Sequence, residues 1–220
     1  MTDASGFLRL VAWLSPVFPT GGFSYSSGLE AAVQTDRVAN EKQLNEWLTS
    51  LLQHGSIRND AIVLTNAWRS CTDANTLQET ADLTLALAGS AERVLELTAQ
   101  GEAFVQAVRS WPDTQNIFVP EPCPLPVAVG VAAGCSSLDL QQTLNAYLHS
   151  FVTNQVQAAI RLSVIGQTAA ARVLAQLEPV ILTASEAAKT GSMSDLGSAT
   201  LMAEIMAMKH EELPGRIFRS

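Results

Sequence analysis

The sequence predicts an all-α fold, a single-domain bundle of about nine or ten helices. Three observations carry this. Leu, Ala, Gln and Glu fill most windows at three- and four-residue spacing. Runs of β-branched residues alternating with polar ones, the mark of a half-buried strand, are scarce. Helix-breaking Gly and Pro fall between these windows, with no internal repeat and no low-complexity tract. A chain of 220 residues fits one domain and can bury a core without metal or disulfide staples.

The elements follow in order. Phe7 to Leu14 makes a short first helix, stopped by Pro16 and Pro19. Ser24 or Ser26 can cap a second, continuing through Leu29 to Val33. Asn40 and Gln43 form a capping-box pattern ahead of Leu44, Trp47, Leu48, Leu51 and Leu52, and Gly55 ends that helix. Ile57 to Arg69, Leu77 to Leu87 and Glu92 to Trp111 read as three more, the last two parted by Gly89. WPDTQNIFVPEPCPLP then holds prolines at 112, 120, 122, 124 and 126, which predicts an extended crossover on the surface. Val127 to Ala133 is a small apolar helix ended by Gly134. Asp139 and Gln142 cap a long one from Leu140 to about Val164. Thr168 to Ala188 follows, with Pro179 expected to kink or split it, and Ser198 to Met208 is last. The domain is drawn at 1–209, with 210–220 as a tail. Pro214-Gly215 predicts that the final residues leave the surface as an extended arm.

Charged residues are 15% of the chain, against roughly 25% in an average soluble domain. So charge-poor a surface predicts self-association. The net charge of −8 argues against nucleic acid and anionic membranes as partners. No signal peptide and no apolar run of about 18 residues is present, and three cysteines in no ligand spacing give no disulfide framework. The expected location is the reducing cytosol.

No catalytic constellation stands out. TGGFS lacks the lysine of a phosphate-binding loop. Gly22-Phe23-Ser24-Tyr25-Ser26 resembles a nucleophile elbow, but it lacks the second glycine and follows no strand. His54, His149 and His210 have no His or Cys three or four residues on, so no helical metal chelate is expected, and no cofactor. His210, beside Glu211 and Glu212, reads as part of a solvated charge cluster. Cys123, between prolines, reads as an ordinary thiol, with a partner-shared metal contact as the rival reading.

SPVFPTGGFSYSSGLE, from Ser15 to Glu30, is far denser in special residues than a plain turn needs. It resembles the S-P-x-x-P-x-G-x-[FY]-S-Y-S-x-G-L-E signature of the urease accessory protein F (UreF) family. QAAIRLSVIGQTAAARVLAQL and DLGSATLMAEIMAMKHEELPGRIFRS resemble two further segments of that family, in the right order. Val164 stands where the family commonly has proline, which would let the helix continue there. Pro214-Gly215 replaces a pair that usually contains tyrosine.

The resemblance implies a cytosolic, homodimeric chaperone with no catalysis of its own. It would bridge the GTPase accessory protein G and accessory protein D/H, so that nickel reaches apo-urease through a tunnel in the complex. Gly21, Gly22, Phe23, Ser24, Tyr25, Ser26, Gly28, Glu30, Arg161 and Gln167 are then candidate partner-binding or tunnel-lining residues. His210, Glu211, Arg216, Ile217, Phe218, Arg219 and Ser220 form a candidate docking tail. Arg161, alone in an apolar helix, needs a carboxylate or carbonyl partner, with Glu30 the suggested one and a subunit contact the alternative. A rival reading from another class is a small helical enzyme or ligand-binding protein using the GGFSYS turn as a pocket.

Overall fold

A computed structural model describes residues 4–220. The domain as drawn begins at residue 1, so its first three positions lie outside the described residues. Ten α-helices follow in order: α1 Ala4–Trp13, α2 Leu29–Gln34, α3 Glu41–His54, α4 Ser56–Arg69, α5 Ala74–Ala86, α6 Ala91–Val108, α7 Leu125–Cys135, α8 Leu140–Arg161, α9 Gln167–Thr190 and α10 Leu201–His210. Short 3-10 turns lie at Gly22–Ser24, Pro112–Thr114 and Met193–Asp195. Among the described residues there is no strand, so the fold is all-α as predicted.

Local chemistry sets most helix starts. Asn40 accepts the Gln43 N–H at 3.1 Å, and Asp139 that of Gln142 at 2.9 Å. Asp73 and Ser90 cap α5 and α6 in the same way. The core is built on α4 and α7, which pack on each other most extensively, with α6, α8 and α9 around them. Nearly all of α7 is buried, from Pro126 to Ala133. Gly130 explains the close crossing. A Cβ there would lie 2.6 Å from the Leu64 carbonyl oxygen and 2.8 Å from Ala67 Cβ.

Several expectations need correction. Gly134 lies inside α7 rather than ending it. The helix α8 stops at Arg161, and the turn holding Val164 is not helical, with Ser163 at φ 61°. The helix α9 runs unbroken through Pro179. Pro179 and Ala175, whose carbonyl loses its donor, both face solvent, so water can replace the missing bond. The proline-rich crossover is not wholly superficial, because Thr114, Pro120, Cys123 and Pro124 are buried. Burial pushes the Cys123 thiol up to about 12, which suits the ordinary-thiol reading.

Candidate functional site

The opening stretch and the tail form one structure. The expected extended arm does not occur: the last residues fold back on residues 22–30. The Arg219 N–H donates to the Ser24 carbonyl at 2.7 Å, and the Ser26 N–H donates to the Ser220 main-chain oxygen at 2.6 Å. Phe218 is buried. Pro214-Gly215 does end the helical path, but the chain then turns inward, with Gly215 at φ 74°. Buried acceptors supply what a free arm would take from water.

Glu30 is the chief acceptor. It stands in the first turn of α2 and is 1% exposed. Its carboxylate receives the N–H groups of Ile217 at 2.9 Å and Phe218 at 3.0 Å, and His210 Nε2 lies 3.0 Å away. Burial raises the Glu30 carboxyl. The N–H of Ile217, the imidazole of His210 and the N–H of Phe218 outweigh it and hold the group below its ordinary value.

His210 is not part of a solvated cluster: it is fully buried. Its Nδ1 lies 2.7 Å from Glu92 Oε2, so both ring nitrogens face carboxylate oxygens. Glu92 also takes a hydrogen bond from Arg216 Nη1. Glu211, another tail residue, caps the start of α6 by accepting the Ala91 N–H at 2.9 Å. Ser27 and Ser220 donate to Glu96 at 3.1 and 3.3 Å. Arg93 joins Glu96 to Asp60, at 3.3 and 2.5 Å, and Tyr147 donates to Asp60 at 3.2 Å. Burial alone would lower the Arg93 pKa, but the Asp60 and Glu96 charges raise it, so the guanidinium stays charged. Four carboxylates thus face two guanidinium groups and one imidazole. Among the described residues no cluster of His, Cys, Asp and Glu is arranged to hold a metal ion. Here the ring nitrogens of His210 point to two different carboxylates.

The turn itself differs from its expected capping. Neither Ser24 nor Ser26 is the N-cap of α2. Gly28 holds that place at φ 82°, where a Cβ would meet the Ala207 backbone nitrogen at 2.8 Å. The Ser26 hydroxyl instead donates to the Ser220 oxygen and accepts the Glu30 N–H at 3.3 Å. Gly21 has a positive φ of 70°, the left-handed conformation a glycine turn permits. Gly22 has no positive φ but is closely approached: a Cβ there would lie 3.0 Å from Asn154 Nδ2 and 3.1 Å from Gln100 Oε1, and its carbonyl accepts Asn154 Nδ2 at 2.7 Å. Tyr25 is buried while Phe23 is 66% exposed. Arg161 does not pair with Glu30. Its Nη1 donates to the Phe23 carbonyl at 2.5 Å, and its guanidinium stacks 4.2 Å over the Phe218 ring. Gln167, exposed as the first residue of α9, has no part in this assembly.

The composite leaves Phe23, Arg161, Ile217 and Arg219 exposed together on a rigid support. Sequence reasoning missed Glu92, Glu96, Arg93 and Asp60. The one available signal was the cluster of charges at positions 92, 93 and 96 in the first turns of α6. Beneath the turn lies a cleft with about 80 Å³ of space, lined by apolar side chains such as Trp13 and Phe104 and by the polar Arg93, Glu96, Gln100 and Tyr147. Trp13 Nε1 and Gln155 Oε1, also in its lining, are buried without a protein hydrogen-bond partner.

A family model described as UreF matches residues 38–178. The chain is 48% identical to Urease accessory protein UreF 1 of Brucella anthropi over 220 residues, covering all of this chain and 96% of that protein. It is 47% identical to Urease accessory protein UreF of Agrobacterium fabrum over 219 residues, covering all of this chain and 98% of that one. With Urease accessory protein UreF of Brucella ovis it shares 49% identity over 216 residues, 98% of this chain and 95% of the other.

Proposed function

The chain belongs to the UreF family of urease accessory proteins and has its role in urease maturation, and on that premise we propose that it acts as a non-catalytic scaffold. In this reading it is a cytosolic homodimer. It joins accessory protein D/H to the GTPase accessory protein G so that nickel is delivered to apo-urease. The observation that carries the reading is the folded-back tail. It makes the GGFSYS turn and residues 216–220 one preformed surface, with an exposed aromatic, an exposed aliphatic and two guanidinium groups. These are residue types that anchor protein interfaces, and preorganisation lowers the entropic cost of docking.

The buried polar residues support a scaffold over an enzyme. Asp60, Glu92 and Glu96 are each held by a guanidinium, and Glu30 by two N–H groups and an imidazole, so none is poised as a base. The test uses exposed positions that the fold does not need. Ile217→Ala and Arg219→Ala should each weaken capture of co-expressed D/H protein by about 1–4 kcal/mol, with urease activity falling in parallel and helicity unchanged. Full-yield co-purification by the double variant rejects the docking role.

The cleft beneath the turn, with its two unpartnered polar atoms, favours the second reading, a small-ligand pocket. It predicts a protein that purifies alone and depletes a metabolite.

A further inference from the structure

Two of the three cysteines sit side by side. Cys71 lies in the turn after α4, and Cys135 is the last residue of α7. Both are partly accessible, whereas Cys123 is buried. Cys135 Sγ is 3.5 Å from the Cys71 carbonyl oxygen, to which its thiol donates. Gly134 makes room for this. A Cβ on it would lie 2.9 Å from Cys71 Cβ and 3.0 Å from Cys71 Sγ, so the Cys71 side chain rests directly on the last turn of α7. No hydrogen bond or ion pair of the tail cluster involves either sulfur.

We propose that Cys71 and Cys135 form a disulfide-forming site, closed by a two-electron oxidant such as hydrogen peroxide or a low-molecular-weight disulfide. Bridged cysteines need Cβ atoms about 3.5–4.5 Å apart. Both residues stand at helix ends, where small shifts disturb few helical hydrogen bonds. Cys135 is pushed up to about 11 by burial and by the neighbouring Cys71, so it enters the reaction as a thiol. The first attack is therefore assigned to the Cys71 sulfur, which gives up its proton as it reacts. Its sulfur takes one peroxide oxygen, the O–O bond breaks and hydroxide leaves, giving a sulfenic acid. The Cys135 sulfur then attacks the Cys71 sulfur. The S–O bond breaks, and water departs with the Cys135 proton. Two thiols lose two electrons and two protons, and hydroxide takes up the Cys71 proton, so peroxide ends as two waters. With glutathione disulfide, a glutathione thiolate leaves at each step instead.

The bridge joins residues 64 apart in sequence and ties α4 to α7 across α5, α6 and the proline-rich crossover. It lies roughly 16 Å along the α4 axis from Asp60, so the tail cluster stays intact.

The full chain is exposed under native conditions at pH 8 to hydrogen peroxide and, separately, to glutathione disulfide. Two of the three thiols should become unreactive in denaturant and return on reduction. Digestion and mass spectrometry should give a Cys71–Cys135 linked peptide, and the denaturation midpoint should rise above that of the reduced chain. Cys71→Ser and Cys135→Ser should each abolish the linked peptide, while Cys123→Ser should form it at wild-type yield and leave no free thiol. That last variant keeps the test decisive if either of the others folds poorly. Oxidation that yields only sulfinic acids, only mixed disulfides with glutathione or only bridges between chains overturns the proposal.

Discussion

Glu30 accepts two tail N–H groups and faces one buried imidazole, all within 3.0 Å. Glu30→Ala therefore leaves two buried N–H groups without an acceptor and a buried imidazole without its neighbour. It should lower stability by about 3–5 kcal/mol in urea denaturation, as removing one partner of a buried charged network does. Glu30→Gln keeps one acceptor oxygen and should cost less. The pH dependence has a definite sign. The Glu30 value in the fold lies below its ordinary 4.5, so its contribution is complete above about 4.5 and is lost as pH falls through the lower, folded value. The stability gap between wild type and Glu30→Gln should be constant from pH 7 to 5 and shrink below 4.5. A gap unchanged down to pH 3.5 assigns the contribution elsewhere. None of this was legible in the sequence. His210 and Glu30 are 180 residues apart, and local composition made the HEE run look solvated. What could be read was that Arg161 needed a carboxylate or carbonyl partner; the identity of that partner is a tertiary fact.

Helix boundaries tell the opposite story. The caps Asn40 and Asp139 were readable because capping is settled within three residues. The second helix was misread for the same reason. A serine ahead of an apolar run is a local capping signal, but the Ser220 oxygen takes the Ser26 hydroxyl, and Gly28 is required where α10 passes. Close approach is equally invisible locally. Gly130→Ala improves intrinsic helix propensity by about 0.5–1 kcal/mol. Its new methyl would still meet the Leu64 carbonyl and the Trp68 backbone nitrogen, neither of which can rotate away. The net effect should be a loss of about 1–3 kcal/mol with helicity kept. Gly197→Ala, in a loop and meeting nothing within 4 Å, serves as control and should change stability by less than about 0.5 kcal/mol. Equal effects from the two substitutions refute the steric account.

At the scale of the molecule, the all-α class and the helix number followed from composition and period, because those depend on every residue. The path of the tail did not. A basic segment after Pro-Gly has the composition of a free arm, and the buried carboxylates, the main-chain bonds to Ser24 and Ser26 and the burial of Phe218 draw it inward. Truncation after Leu213 should therefore destabilise the protein by about 3 kcal/mol or more, because it removes a buried Phe218 and leaves Glu30 and Glu92 short of partners. Calorimetry showing an unchanged melting temperature would restore the free-arm view. Self-association is the other expectation at this scale. Phe7, Val11 and Leu182 stand exposed around an apolar groove between α1, α8 and α9. Sedimentation at micromolar concentration should give a mass above that of the monomer, and a strictly monomeric species rejects this.

The closure of residues 24–30 by residues 217–220 also has a consequence in time. The partners of Glu30 lie 187 residues downstream. At about 5–20 residues per second, they leave the ribosome roughly 10–40 s after it does. Throughout that interval the Glu30 carboxylate has only water to accept from, and the composite surface does not exist. A partner that reads both halves together would pass over nascent and prematurely ended chains and recruit those translated through the tail. Recognition and quality control would then be a single event.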